Sequence, residues 1–188
     1  MAAVSQVQHI EKSNFAQSWL REALLVIGGS IFIALFAHIA IPLPFTPVPL
    51  SLQMNACLFL GILLGSKRAA AAVVLFLIQG ACGLPVFSTG ASGIAKLFGP
   101  TGGYLLGYVA GAYLVGYLWE KAKVQSTTRA FLAMAAGNLV VYALGVFHLS
   151  QFVGLNRALL LGVAPFIIGD LLKLFLGVRT LRLARHIR

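Results

Sequence analysis

Long apolar runs, separated by short clusters of glycine, proline and charged residues, recur along the whole 188-residue chain. A helix needs roughly 20 predominantly apolar residues to cross the apolar core of a bilayer, and the sequence supplies about six such runs. Open sheets cannot cross lipid, and the runs lack the strict alternation of a membrane β-barrel. The sequence therefore predicts an all-α integral membrane protein with six transmembrane helices.

The predicted spans are bounded by proline, glycine or charge clusters. They divide the chain into an N-terminal cytoplasmic lead-in over residues 1–22, a six-helix membrane domain over 23–178 and a basic cytoplasmic tail over 179–188. In chain order, the spans cover residues 23–41, 50–64, 69–81, 104–119, 130–147 and 158–178.

The distribution of lysine and arginine predicts the orientation, because short cytoplasmic loops are enriched in these residues. With both termini in the cytoplasm, only Lys96 and Arg157 fall on the outer side, and Lys173 lies within a span. The proline-rich segment 42–49 and the glycine-rich segment 83–103 then lie outside. Because the cations behind the net charge of +10 flank apolar spans, the bilayer and not nucleic acid is the predicted partner.

Two opposite charges, Asp170 and Lys173, lie one helical turn apart inside the last apolar run. An ionisable group near the bilayer centre costs roughly 2.5–3.5 kcal/mol on insertion scales, so such a pair marks a functional site by default. Spaced three residues apart on one helix face, the two can also simply neutralise each other. In the functional alternative, Asp170 accepts N–H groups of a ligand and Lys173 donates to a carbonyl or carboxylate.

Further candidate contacts lie in the glycine-rich segment and on two helices. The segment is either a cap over a binding site or a plain connector, and Lys96 is its lone cation. Asn138 and Tyr142, four residues apart on one helix face, are candidates for ligand contact, although hydrogen bonds between helices are the commoner role of such residues. Ser30 and Ala34 form a small-x-x-x-small pair that permits close approach of another helix.

Several motifs of catalysis are absent from the sequence. No G-x-x-x-x-G-K-[ST] phosphate loop occurs, so the chain cannot itself be the ATP-hydrolysing part of a pump. No H-E-x-x-H or G-x-S-x-G motif suggests an intramembrane enzyme, and the isolated Cys57 and Cys82 indicate neither a metal site nor a disulfide framework. We therefore expect a transport protein with no catalytic residue, metal or cofactor of its own.

Five motifs occur in order along the membrane region. They are Ile41-Pro-Leu-Pro-Phe-Thr-Pro-Val-Pro-Leu-Ser-Leu-Gln53, Gly83-Leu-Pro-Val-Phe87, Gly99-Pro-Thr-Gly-Gly-Tyr-Leu105, Gly137-Asn-Leu-Val-Val-Tyr142 and Pro165-Phe-Ile-Ile-Gly-Asp-Leu-Leu-Lys173. Together they resemble the BioY family, the biotin-binding S components of energy-coupling factor (ECF) transporters. The resemblance covers nearly the whole membrane region, residues 28–178.

This resemblance implies an ECF S-component fold that captures biotin at the outer side of a bacterial cytoplasmic membrane. The partners it implies are a transmembrane coupling protein and two ATP-binding-cassette (ABC) ATPases, which bind the ATP. The coupling protein would contact the first helix at Ser30 and Ala34. The resemblance also implies that a set of polar and aromatic residues contacts biotin: Asp170, Lys173, Lys96, Tyr104, Phe87, Asn138 and Tyr142.

Two other functions fit parts of the pattern. A stand-alone biotin carrier, working without an ATPase module, would use Asp170 and Lys173 as a proton or ion relay. A purely structural membrane protein would bind no ligand, which the five ordered motifs disfavour.

Overall fold

The computed structural model describes residues 2–124, 126–167, 169–170 and 172–174, with side chains described from residue 17 onward. Almost all of its regular structure is helical, so the all-α prediction is confirmed. In chain order, the elements are α1 (Ala2–Ala37), β1 (Ala40–Ile41), β2 (Leu50–Ser51), α2 (Gln53–Leu64), α3 (Ser66–Ala81), α4 (Ala95–Phe98), α5 (Gly102–Glu120), α6 (Thr127–Val153) and α7 (Leu155–Gly162).

Two helical stretches within the described residues are long and apolar enough to cross a bilayer. They are Gln17–Ala37 and Thr127–Val153, and α2 is a shorter apolar helix. The other predicted spans correspond to α3, to α5 and to the residues from α7 onward. The count of six spans therefore stays a prediction.

The proline-rich segment between α1 and α2 forms a short β-hairpin. Its two strands pair antiparallel, with Ala40 opposite Ser51 and Ile41 opposite Leu50. Proline lacks the N–H that a helix requires and pushes the preceding residue towards extended backbone, so this segment cannot continue α1. The predicted first span is accordingly wrong at its end, because the helix stops at Ala37.

The predicted sixth span, residues 158–178, is not one continuous helix where the structure describes it. Helix α7 ends at Gly162, residues 163–166 form turns, and helical backbone resumes after them. Pro165 lies in this break, where its ring and its missing N–H disfavour an uninterrupted helix. Residues 175–188, predicted as the end of the span and the basic tail, lie outside the described residues.

Glycines let α2, α5 and α6 pack closely in the core. A Cβ atom added at Gly61 of α2 would lie 2.7 Å from the carbonyl oxygen of Ala112 in α5. One added at Gly137 of α6 would lie 3.1 Å from the carbonyl oxygen of Gly111 in α5. Such small residues allow transmembrane helices to approach backbone to backbone. Fully buried apolar side chains surround these contacts, among them Leu58, Val115 and Val141.

Polar contacts join the segments at one end of the molecule. Glu120, at the end of α5, accepts hydrogen bonds from the backbone N–H and the hydroxyl of Ser66, both at 2.8 Å. Arg68 forms an ion pair with Glu22 at 2.5 Å. These contacts bring together segments that the charge distribution predicts on one side of the membrane. The hairpin and the glycine-rich segment lie together at the other end.

Candidate functional site

Asp170 is a buried carboxylate, only 2% exposed, and both of its oxygens accept hydrogen bonds. Oδ1 accepts from Lys173 Nζ at 3.1 Å, and Oδ2 accepts from the hydroxyl of Tyr142 on α6. Lys173 Nζ also donates to the carbonyl oxygen of Ser51 in β2 at 3.0 Å. The two charges therefore neutralise each other and at the same time link the hairpin to α6.

A narrow cavity lies beside this ion pair. Its volume open to water-sized molecules is about 30 Å³, which is enough for about one or two waters. Asp170, Lys173, Tyr142 and Tyr104 all line it, so the structure brings these four predicted residues together. Much of the remaining wall comes from the hairpin and neighbouring helices, through Val48, Pro49, Ser51, Tyr108 and Phe166.

A second cavity, of about 40 Å³, shares the hairpin wall and Tyr104 with the first. The two predicted residues of the glycine-rich segment, Phe87 and Lys96, both line it. The segment is therefore a cap over a cavity and more than a plain connector. Besides the tyrosines, its other polar lining comes from Ser51, Gln53, Ser88 and Thr101.

Gln53 carries an unsatisfied donor at this second cavity. Its side chain is 1% exposed, and its Oε1 accepts from Ser88 Oγ at 2.6 Å and from the Ser88 backbone N–H at 3.2 Å. Its Nε2 has no hydrogen-bond partner among the described residues. A buried amide without a partner costs free energy. Lys96 lines the same cavity, and both side chains carry donors of the kind that suit a carbonyl or carboxylate oxygen.

Aromatic rings form much of the wall between the two cavities. Tyr104 and Tyr108, one turn apart on α5, line both of them. The Tyr104 hydroxyl donates to the carbonyl oxygen of Gly162 at 3.0 Å, and a Cβ atom at Gly162 would overlap that hydroxyl. Phe87 is held edge-on against Phe76, with ring centroids 5.4 Å apart.

Three residues of the site were not assigned a ligand role from the sequence. Tyr108 follows Tyr104 by one helical turn, so the helix period is a signal that could have found it. Gln53 is visible as a polar residue at the edge of an apolar run, but its orientation depends on Ser88 in a distant segment. Ser51 contributes a backbone carbonyl, for which no side-chain signal exists.

Asn138 lies on the same helix as Tyr142 but lines neither cavity. It is buried, and its Oδ1 has no hydrogen-bond partner among the described residues. Its contact with a ligand stays a prediction.

Gly29 and Ser30 of α1 face the interior of this chain. Ser30 is fully buried, and its hydroxyl donates to Gln79 Oε1 of α3 at 2.5 Å. A Cβ atom at the adjacent Gly29 would lie 2.9 Å from the Cβ atom of Ala72 in α3. The helix that approaches here is α3 of the same chain. Ser30 therefore packs within this chain and Ala34 is partly exposed, and the docking contact predicted for the two residues stays a prediction.

Comparison with known proteins identifies close relatives. The family model of the BioY family matches residues 6–188. The probable biotin transporter BioY of Pyrococcus horikoshii is 39% identical over 127 residues, which cover 68% of this chain and 74% of that protein. The biotin transporter BioY of Thermotoga maritima is 40% identical over 151 residues, which cover 79% of this chain and 88% of that protein.

The fold also matches a solved structure. This is the crystal structure of the S-component for biotin from an ECF-type ABC transporter, with a TM-score of 0.81 and 28% sequence identity. The match covers 90% of this chain and 93% of the other.

Proposed function

This chain belongs to the BioY family of membrane transporters, and we propose that it captures biotin at the outer face of the cytoplasmic membrane as the substrate-binding subunit of an ATP-driven ECF transporter. One observation carries the proposal. We call the two adjacent cavities together the cleft. The buried carboxylate of Asp170 lines one of them, and Lys96 and the unsatisfied Gln53 amide line the other. Biotin has complementary ends, because its ureido group carries two N–H donors and its side chain ends in a carboxylate.

Charge indicates which end of biotin fits which part of the cleft. A carboxylate next to Asp170 would place two negative charges close together where the dielectric constant is low, which is unfavourable. No acidic side chain among the described residues lines the cavity that contains Lys96. We therefore assign the ureido N–H groups to Asp170, the ureido carbonyl to Lys173 or Tyr142, and the carboxylate to Lys96.

The ring system of biotin would lie against Tyr104 and Tyr108, in a site that is mostly apolar with a few placed polar groups. The two cavities together are too narrow for these rings, since each holds only about one or two waters. Binding therefore requires the hairpin or the glycine-rich cap to move outward and close again. Such closure over a ligand removes it from water and completes its contacts.

We expect Asp170→Asn to weaken biotin binding about a hundredfold or more, because the variant removes a buried, charged acceptor. Titration of the purified protein in detergent with biotin measures the effect. Glu22→Gln is the matched control, since it makes the same chemical change in an ion pair far from the cleft, and it should bind normally. An Asp170→Asn variant with unchanged affinity would contradict the site. Equal binding of thiamin or riboflavin would contradict the assignment of biotin.

The energy for uptake is proposed to come from partner subunits. Because the sequence has no phosphate loop, ATP hydrolysis would fall to two ABC-type ATPases joined through a transmembrane coupling protein. In cells lacking a biotin transporter, we expect labelled biotin to accumulate only when this chain is expressed with those partners. Accumulation with this chain alone, lost in Asp170→Asn, would favour the stand-alone carrier instead.

A further inference from the structure

A basic groove lies between the end of α5 and the start of α6, at the end of the molecule opposite the biotin cleft. Its volume is about 420 Å³, which is within the roughly 300–1,000 Å³ range of ligand clefts. Three cations and three apolar side chains dominate its lining: Lys121, Lys123, Arg129, Leu118, Leu132 and Ala133. The capture of biotin makes no use of this groove.

The positive charge of the groove is not balanced locally. No acidic side chain among the described residues lines it. The adjacent acid, Glu120, accepts two hydrogen bonds from Ser66 and is engaged with α3. The guanidinium of Arg129 is also held in position, because its Nη1 donates to the carbonyl oxygen of Val124 at 2.9 Å. A cluster of cations with no acidic side chain in its described lining favours an anionic occupant.

The apolar part of the groove narrows the choice of anion. Leu118 is 39% exposed and Leu132 is 60% exposed. Leu132 belongs to α6, one of the two helices long and apolar enough to cross a bilayer. The cations thus lie at helix ends, where a headgroup would be, and the leucines lie on the helices, where acyl chains would be. An inorganic anion would leave the leucines unused, and an acidic protein segment would need its own apolar part inside the bilayer.

We propose that this groove binds an anionic phospholipid, with its phosphate between Lys123 and Arg129 and an acyl chain along Leu118 and Leu132. Basic pockets between transmembrane helices suit such headgroups. The inference rests on the chain being a membrane protein. It does not depend on biotin binding.

Lipid binding to the purified protein in detergent, counted by native mass spectrometry, tests the proposal. We expect phosphatidylglycerol to remain bound, and phosphatidylcholine with the same acyl chains to be lost. The double variant Lys123→Gln with Arg129→Gln should bind phosphatidylglycerol about thirtyfold more weakly, which is roughly fivefold for each cation removed. The control double variant, Arg21→Gln with Lys67→Gln, removes two exposed cations outside the groove and should bind normally.

The single variant Lys123→Gln keeps the contact between Arg129 and Val124, so it remains informative if the double variant does not fold. It should lose about fivefold in affinity. An equal loss in the control double variant would overturn the proposal in favour of diffuse electrostatic attraction. Competition by glycerol 3-phosphate as strong as that by the lipid would overturn it in favour of a simple anion site. If an acidic peptide displaced bound phosphatidylglycerol more strongly than the competing lipid does, the proposal would be overturned in favour of a protein partner.

Discussion

At the scale of single residues, the charged side chains of the cleft lie in two places, with Asp170 and Lys173 in one cavity and Lys96 in the other. Asp170 is buried with two donors, Lys173 and Tyr142, so its charge is compensated before any ligand arrives. Removing one partner of a buried pair leaves the other charge uncompensated and is destabilising. Lys96 lies in the other cavity, away from this pair. The separation lets one ligand meet an acceptor at one end and a cation at the other.

Lys96→Gln tests which end of biotin meets this cation. We expect the variant to bind biotin about tenfold more weakly, since it loses a hydrogen bond between charged groups. Binding of biotin methyl ester should be the same in both proteins, because the ester carries no charge. Titrations of both ligands against both proteins measure the difference, with Lys67→Gln as a control outside the cleft. A similar loss for the ester would mean that Lys96 acts by holding the loop and not by contacting the carboxylate.

At the scale of elements, interruptions of regular structure position the site. The hairpin stops α1 and brings the carbonyl oxygen of Ser51 to Lys173. The break around Pro165 ends α7, and the helical residues that follow it carry Asp170 under the hairpin. Thr46, between β1 and β2, connects the hairpin to α7, because its Oγ1 donates to a carbonyl oxygen of α7 at 2.7 Å. The two irregular segments therefore form one structural unit over the cleft.

Close packing of α2 against α5 is predicted to contribute to stability through Gly61. A Cβ atom there would lie 2.7 Å from a backbone oxygen and 2.9 Å from a backbone nitrogen of α5, so Gly61→Ala would force the helices apart. Gly28→Ala is the matched control, because no atom lies within 4 Å of its added Cβ. We expect thermal unfolding in detergent to show Gly61→Ala less stable than the control by about 1–3 kcal/mol. Equal stability of the two variants would show that α5 can move at no cost.

At the scale of the whole molecule, the two ends differ in chemistry. One end carries the hairpin, the glycine-rich cap and the cleft, and the other carries the basic groove and the contacts of Glu120 with Ser66 and of Arg68 with Glu22. This polarity agrees with a protein that receives its ligand from one side of the membrane and faces an anionic leaflet on the other.

The two native cysteines provide a test of this orientation. Cys82, at the cleft end, is exposed, whereas Cys57 is buried. We expect a membrane-impermeant maleimide to label intact cells expressing this chain, and the signal to vanish in Cys82→Ser. In that background, Lys67→Cys should be labelled only after the membrane is opened. The reverse pattern of accessibility would place the cleft on the cytoplasmic side.

Much of the fold can be predicted from residue types, because hydropathy and backbone chemistry act locally. Apolar runs indicate membrane helices wherever they pack, and the prolines before Leu50 stop a helix in any context. Helix ends were predicted less well, as at Ala37 and Gly162, since strand pairing and turns decide them. The pair of Asp170 and Lys173 was visible because a charge inside an apolar run is informative without a fold.

The sequence by itself determined the membrane class, the helical architecture and the two charges of the last span. Only the tertiary structure decided that Tyr142 and Lys173 both donate hydrogen bonds to Asp170. It also decided that Gln53 Nε2 has no hydrogen-bond partner among the described residues. It also decided that Ser30 packs inside the chain, because a small side chain permits close approach without specifying which helix approaches. The physical reason is the same in each case, since these contacts join residues far apart in the chain and depend on how the helices pack against one another.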